Sequence, residues 1–269
     1  MKGGEIMNLM AESFTFNGVS LPKGYVLCAF ESVDTIHETS IKLNTNKSKI
    51  TPFRPQASLY NVQYKDVIAF SVSLMKCNSE KISDNEYISL TEWLLSPVTY
   101  CSFTVIDYPE ITYHQNVIYN AICVGYDEFV VNGNVYGLTF SFECDSPYGY
   151  SPEQSYDFTG NTPFMINNKT EELSEDIYPE IELHCNSTEG VAIKNNSYPE
   201  EMMTLKVLEG QTLTIDNKHG LIKDNLDMFN FGTDTNLMWI HLAPGINSIT
   251  VFGDVTGTIK YRYVRKRGI

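Results

Sequence analysis

Residues 136–144 read Tyr-Gly-Leu-Thr-Phe-Ser-Phe-Glu-Cys, and Asp145-Ser146-Pro147-Tyr148 follows at once. Tyr136, Leu138, Phe140, Phe142 and Cys144 alternate with Gly137, Thr139, Ser141 and Glu143. Successive side chains of a strand point to opposite faces, so this stretch reads as a strand with one apolar and one wet face. Pro147 has no amide hydrogen to give a ladder, which ends the strand nearby. A β segment with one helix lies before it and a second β segment lies after it. The passage therefore marks a boundary in a mainly β chain, with domains at 1–148 and 149–269.

Working back from this strand, Val130-Val131-Asn132-Gly133-Asn134-Val135 carries an Asn-Gly hairpin signal. A second one follows Phe14-Thr15-Phe16 at Asn17-Gly18. Tyr25 to Phe30, Ile68 to Leu74, Phe103 to Asp107 and Tyr119 to Tyr126 read as further strands. Residues 32–64 are polar, broken by Pro52 and Pro55, and read as extended strands and long loops. One helix is expected. Ser83 and Glu86 have capping-box spacing, Tyr87, Leu90 and Leu94 form an apolar stripe that Ile88 and Leu95 widen, and Pro97 stops it.

Working forward, residues 147–163 hold three prolines and two glycines and read as a linker or first loop. Alternation then recurs at 181–185, 205–208, 213–216, 239–242, 249–252 and 259–263. Short strands at such spacing without a helical period suggest a sandwich. Tyr261 and Tyr263 are expected to face its core, between the outward Lys260 and Arg262.

The chain has 269 residues, 33 acids against 19 Lys and Arg, and a net charge of −14. Phosphate contacts need clustered cations, so a broad nucleic-acid-binding face is disfavoured. The one basic cluster, Arg262, Arg265, Lys266 and Arg267, reads as a solvated strand end or as a docking site for an acidic partner. No 18-residue apolar run spans a membrane, and the start, Met1-Lys2-Gly3-Gly4-Glu5, lacks an apolar signal region. Six cysteines without a C-x-x-C pair are expected as free thiols, several of them in the core. The four Asn-x-Ser/Thr matches are then chance occurrences of a short motif.

No constellation names a reaction. There is no G-x-S-x-G elbow, and His37, His114, His184, His219 and His241 have no metal-ligand spacing. His184 and His241 read as outward residues on alternating strands. Glu171-Glu172 and Glu200-Glu201 read as solvated loop charge. Asp224-Asn225-Leu226-Asp227 lacks the glycine and final glutamate of a calcium loop. Lys218-His219-Gly220 lacks the setting of a phosphate loop. Trp239 is a candidate for either a core position or an exposed sugar platform. The expected catalytic, cofactor and metal residues are none.

The ordered pieces together resemble the distal tail protein (Dit) family of long-tailed, siphovirus-type bacteriophages. They are Phe14-Thr15-Phe16-Asn17-Gly18-Val19-Ser20, Trp93-Leu94-Leu95, Phe103-Thr104-Val105, and the strand 136–144 running into Ser146-Pro147-Tyr148-Gly149. In the second half they are Ile166-Asn167-Asn168, Tyr178-Pro179-Glu180-Ile181-Glu182-Leu183, Leu213-Thr214-Ile215-Asp216 and Leu242-Ala243-Pro244-Gly245-Ile246-Asn247.

The resemblance implies a non-enzymatic tail-tip or baseplate hub, a virion component made in the bacterial cytoplasm. It implies a homo-hexameric ring built by an N-terminal domain with one helix and an extended belt hairpin, and a peripheral galectin-like β-sandwich. The implied partners are the major tail tube protein and a tail-associated lysin or fibre hub, with a receptor-binding protein or host glycan as further candidates. It implies no cofactor, no specific nucleic-acid binding and no membrane insertion. The alternative is a carbohydrate-binding sandwich module that attaches to cell-wall glycans, with Trp239 in its platform.

Overall fold

In the computed structural model, residues 7–9, 11–30, 43–48, 57 and 59–269 are described. The chain forms two compact units, Met1–Tyr150 with Lys266–Ile269, and Ser151–Arg265.

The first unit is built on an eight-stranded sheet. Its order runs Met7–Asn8, Ala69–Lys76, Asn134–Cys144, Tyr119–Val131, Cys101–Ile106, Ser13–Phe16 and Val19–Ser20, and Tyr25–Leu27 also pairs with Ala69–Lys76. Among the described strands of this sheet, only Met7–Asn8 pairs in parallel. Both Asn-Gly signals form hairpins. Asn17 and Gly18 take φ of 52° and 75°, and Asn132 and Gly133 take 49° and 76°. Two consecutive left-handed residues give the turn whose twist matches the strands it joins.

The 136–144 alternation is realised as read at Leu138, Phe140, Phe142 and Cys144, all buried. Leu138, Phe140 and Phe142 lie opposite Leu74, Val72 and Phe70 in register, and all four share a core with Phe14, Phe16, Phe103 and Tyr119. Bulges at Tyr136 and Val124 interrupt the pairing with Tyr119–Val131, which raises the local twist. The other face is less wet than its composition suggests. Ser73 and Thr139 join hydroxyls at 2.8 Å. A Cβ on Gly137 would lie 2.1 Å from the Phe30 ring, and that ring stacks on Phe129 at 4.8 Å. Only glycine lets the ring cross the strand so closely.

The helix is Asp84–Leu95, with Leu90 and Leu94 buried. Ile88, read as part of the stripe, is exposed. Trp93 instead stacks on Phe14 at 5.6 Å and donates its indole N–H to the Phe16 carbonyl at 3.2 Å. Glu86 accepts from the Ser83 amide at 2.8 Å and hydroxyl at 2.6 Å, and pairs with Lys76 at 2.9 Å. The Ser83 hydroxyl and amide, and then Lys76, move the Glu86 carboxyl from an ordinary 4.5 to about 2. A depressed carboxylate stabilises the fold above its unfolded value, and that contribution disappears as the pH falls through about 2. Glu86→Gln is expected to lower the Tm at pH 7 by about 2–4 °C. It should also flatten the acid loss between pH 4.5 and 2, as read by thermal melts across that range. A variant with the wild-type acid profile would refute the assignment.

The basic cluster does not behave as one tail. Lys266–Ile269 belongs to the first unit, with Ile269 in its core. The Gly268 carbonyl accepts from the Tyr119 hydroxyl at 3.1 Å and meets His114 Nε2 at 3.1 Å. Arg267 lies over the Tyr113 ring. Arg265 pairs with Glu171 at 3.2 Å, and Arg262 is exposed. The buried thiols are Cys123, Cys144 and Cys185, Cys77 is exposed, and none of the six cysteines is in a disulfide.

The second unit is two antiparallel sheets around one core. The five-stranded sheet runs Gln154–Thr159, Val255–Tyr261, Glu180–Cys185, Thr212–Asp216 and Leu221–Asp224. The four-stranded sheet runs Phe164–Asn168, Gly245–Phe252, Val191–Asn195 and Met203–Leu205. Inward residues of both sheets, such as Ile181, Leu183, Ile193, Ile215, Val251 and Ile259, merge into one buried cluster. This is the sandwich that the alternation predicts. Part of the expected linker is in fact its first strand, Gln154–Thr159, whose Phe158 is buried. Tyr261 packs against the core as expected.

Candidate functional site

The candidate site is a set of surfaces and the elements that hold them. The first lies on Tyr119–Val131. Only Tyr119, Asn120 and Ala121 of this strand pair with Cys101–Ile106. Its other edge is bonded to Asn134–Cys144 as far as Val131. Among the described residues, no strand covers the outer edge of 122–131. Val124, Phe129, Val130 and Val131 are exposed along it. Tyr126 and Glu128 are tied to the helix, where the Tyr87 hydroxyl meets the Tyr126 hydroxyl at 2.6 Å and donates to Glu128 at 2.6 Å. The hairpin is thus braced on one face and open along its edge.

A second hairpin pairs Leu43–Lys47 with Leu59–Tyr64. It falls inside the stretch expected to supply long strands and the belt. The remainder of that stretch, 31–42, 49–56 and 58, lies outside the described residues, and so do His37 and the 1–5 segment.

The second unit carries a different arrangement at 239–247. The alternation of Trp239-Ile240-His241-Leu242 predicts a strand, yet this segment makes only an isolated bridge, Ile177 to Leu242. Its buried backbone is satisfied by four buried asparagines instead. Asn168 donates to the Leu242 and Ala243 carbonyls at 3.1 Å each. Asn195 donates to the His241 carbonyl at 2.7 Å and to Asn247 Oδ1 at 2.9 Å. Asn247 accepts from the Ala243 amide at 2.9 Å and donates to the Ala243 and Gly245 carbonyls at 2.8 and 3.1 Å. Asn217 accepts from the Ile240 amide at 2.8 Å and donates to the Pro179 carbonyl at 2.7 Å. Buried backbone groups must be paired somewhere, and here side-chain amides replace a ladder.

The segment so held presents His241 to two loops, one carrying Asp176 and Tyr178 and the other Tyr198 and Glu201. Nδ1 lies 2.6 Å from Asp176 Oδ2, and Nε2 lies 2.7 Å from Glu201 Oε2. The Tyr198 hydroxyl donates to Asp176 Oδ2 at 2.5 Å, and its ring lies 4.0 Å from the imidazole. Burial, and then the bond to Asp176, push the Tyr198 phenol up to about 12, so it stays a donor. The His241 side chain is 14% exposed, because the asparagine clasp turns it inward from the outward position its alternation suggests. Glu201 is correspondingly a partner, not free loop charge.

The remaining sequence candidates resolve into braces. Glu172 is buried and accepts from the Ser174 amide and hydroxyl. Asp224 accepts from the Leu226, Met228 and Phe229 amides at 3.0, 2.7 and 3.0 Å. These bonds outweigh burial and hold its carboxyl below the usual range. The calcium-like fragment thus binds its own loop. His219 Nδ1 lies 2.7 Å from Asp216 beside a turn at Gly220. His184 is exposed, with Nδ1 at 3.1 Å from the Thr212 hydroxyl. Trp239 is half-buried, its ring 3.2 Å from where a Cβ on Gly220 would lie, so it does not stand free as a platform.

Sequence reasoning missed the four asparagines, although a signal was present. Asn168, Asn195 and Asn217 each extend an inward alternation at the end of a strand, after Ile166, Ile193 and Ile215. Asn247 begins one before Ile249. A polar residue in the inward register must find a buried partner.

Comparison with known proteins places these features. Residues 9–146 match a family described as phage tail protein N-terminal domain, and residues 148–261 match one described as phage tail C-terminal domain. The chain is similar to the crystal structure of SPP1 Dit (gp 19.1), described as a paradigm of hub adsorption apparatus in phages infecting Gram-positive bacteria. That likeness has a TM-score of 0.61 at 14% identity and covers 93% of this chain and 98% of that one. It is also similar to a chain in the phage P2 baseplate in its activated conformation with calcium, with a TM-score of 0.53 at 6% identity, covering 96% and 100%. At such identities the likeness is one of fold. No curated protein matches the sequence. With the two family matches following one another along the chain, this chain belongs to the phage tail proteins, and its fold is Dit-like.

Proposed function

We propose that the chain is a non-enzymatic tail-tip hub that closes into a homo-hexameric ring and joins the tail tube to lysin, fibre or receptor-binding components. On this reading residues 1–148 form the ring, and residues 149–269 form a peripheral, galectin-like sandwich. The observation that carries it is the uncovered edge of 122–131. A long apolar edge invites pairing with another chain, and natural proteins protect such edges unless they are used. Pairing it with a different surface of the next copy gives a heterologous contact, which closes into a ring when the rotation allows. The fold shared with the SPP1 Dit protein, described as part of a hub, supports the same reading. The described part of the 43–64 hairpin is a second arm for such contacts. The alternative, a glycan-binding module, draws nothing from Trp239, which packs on Gly220.

Negative-stain imaging and sedimentation of purified protein, alone and with tube protein, test this. Wild type is expected to form six-fold rings. Val124→Lys with Val131→Lys places charge on the exposed edge, where substitutions cost about 0.5 kcal/mol or less. That variant should stay monomeric with an unchanged Tm. Rings formed equally well by the variant would remove the edge from the interface. A wild type that stays monomeric with every partner, or binds cell-wall polysaccharide as a monomer, would favour the alternative.

A further inference from the structure

His241 stands in an unusual position. Both ring nitrogens face carboxylate oxygens, Asp176 at 2.6 Å and Glu201 at 2.7 Å. Ionised carboxylates only accept, so both bonds form only when both nitrogens carry hydrogen, as in the imidazolium. Two tyrosines also face the ring, Tyr198 at 4.0 Å and Tyr178 at 5.7 Å between centroids. Tyr198 donates to Asp176 and keeps its own proton, so it leaves Nδ1 as the second donor to that carboxylate.

The two carboxylates are not equivalent. Asp176 is 25% exposed and held by Tyr198, whereas Glu201 is 45% exposed. Glu201 sits at the end of a turn whose amide bonds the Tyr198 carbonyl at 3.0 Å. That turn leads into Met202 and Met203 and borders a small cavity lined also by Met238 and Trp239. A ring with one proton would keep Nδ1–H on Asp176. The bare Nε2 would then set its lone pair against Glu201 Oε2.

We propose that His241 is a proton-operated latch that holds the 198–202 turn closed over the cavity edge and releases it as the pH rises. The sign follows from proton count. The closed form binds one more proton than the open form, so raising the pH favours opening. Histidine is the side chain whose unperturbed charge change falls between about pH 5 and 8, so measurements at the two ends of that range test the latch. Release frees Glu201 to solvent and opens the cavity edge beside Met203 and Trp239, while the asparagine clasp keeps the segment under His241 in place.

Hydrogen exchange of peptides spanning 196–205, corrected for the intrinsic effect of pH and compared between pH 5.5 and 8.0, reads the turn directly. Wild-type protection should fall by about tenfold or more, since one linked proton gives up to tenfold per pH unit. In Glu201→Gln the new amide donates to a bare Nε2, so the turn should stay protected at both pH values. In His241→Gln the side chain offers one donor and one acceptor, so protection should be low and pH-independent. Wild-type protection that does not change with pH, or a Glu201→Gln protein with the full wild-type dependence, overturns the latch. Should His241→Gln fail to fold by circular dichroism, ring nitrogen shifts of wild type serve instead. Both nitrogens should be protonated at pH 5.5 and only Nδ1 at pH 8.0, and a ring in the same state at both values would overturn the proposal.

Discussion

Replacing Asn247 with leucine should lower the stability of the 151–265 unit by about 3–5 kcal/mol. The side chain is fully buried. Its loss strands the Ala243 amide and takes one of two partners from both the Ala243 carbonyl and the Asn195 amide group. Each buried group left unpaired costs about 1–3 kcal/mol, partly offset by the apolar area of leucine. Asn196→Ala is the control. That side chain is exposed and bonds only the hydroxyls of Ser248 and Thr250, at 3.2 and 3.4 Å. It should change stability by about 0.5 kcal/mol or less. Urea denaturation with exchange read on peptides from Val191–Asn195 and Gly245–Phe252 separates the two. A loss below about 1 kcal/mol for Asn247→Leu would mean that water takes over the clasp.

Phe103→Ala should cost the other unit about 3–5 kcal/mol. Phe103 is completely buried and sits at the centre of the aromatic core. Its ring lies 5.0 Å from Phe14, 4.9 Å from Phe70, 5.2 Å from Phe142 and 6.3 Å from Phe16. Truncation removes the transfer energy, leaves a cavity walled by rings, and breaks edge and stacking contacts worth about 0.5–1.5 kcal/mol per pair. Phe103→Leu keeps most of the apolar area and should cost clearly less. Exchange in Ala69–Lys76 and Asn134–Cys144 reports the effect where it arises. Equal losses for alanine and leucine would show that ring geometry, not filled volume, sets the cost.

The architecture was legible wherever one local cause dominated. Period-two alternation placed Asn134–Cys144 and Glu180–Cys185. The Asn-Gly pairs placed both turns, because so few residues tolerate two successive left-handed conformations. Ser83 and Glu86 placed the helix start, because that cap is made within four residues. Where causes were not local, the reading slipped. Ile88 extends the helical stripe but is left half exposed, and Trp93 packs against the core because Phe14 and the Phe16 carbonyl stand above it. The strand expected over Trp239 to Leu242 gave way because Asn168, Asn195, Asn217 and Asn247, spread over 80 residues of chain, compete for its backbone.

The functional surfaces divide along the same line. That the chain is a two-part β protein, similar to a tail protein family, follows from periodicity, turn chemistry and the order of short motifs along the sequence. Those signals act between residues close in the chain. That one edge of Tyr119–Val131 is left uncovered among the described residues, that Lys266–Ile269 returns to the first unit, and that His241 is set between Asp176 and Glu201 were decided only by folding. Edge exposure and hydrogen-bond pairing depend on which distant segments come to lie side by side, and no local pattern encodes that neighbourhood.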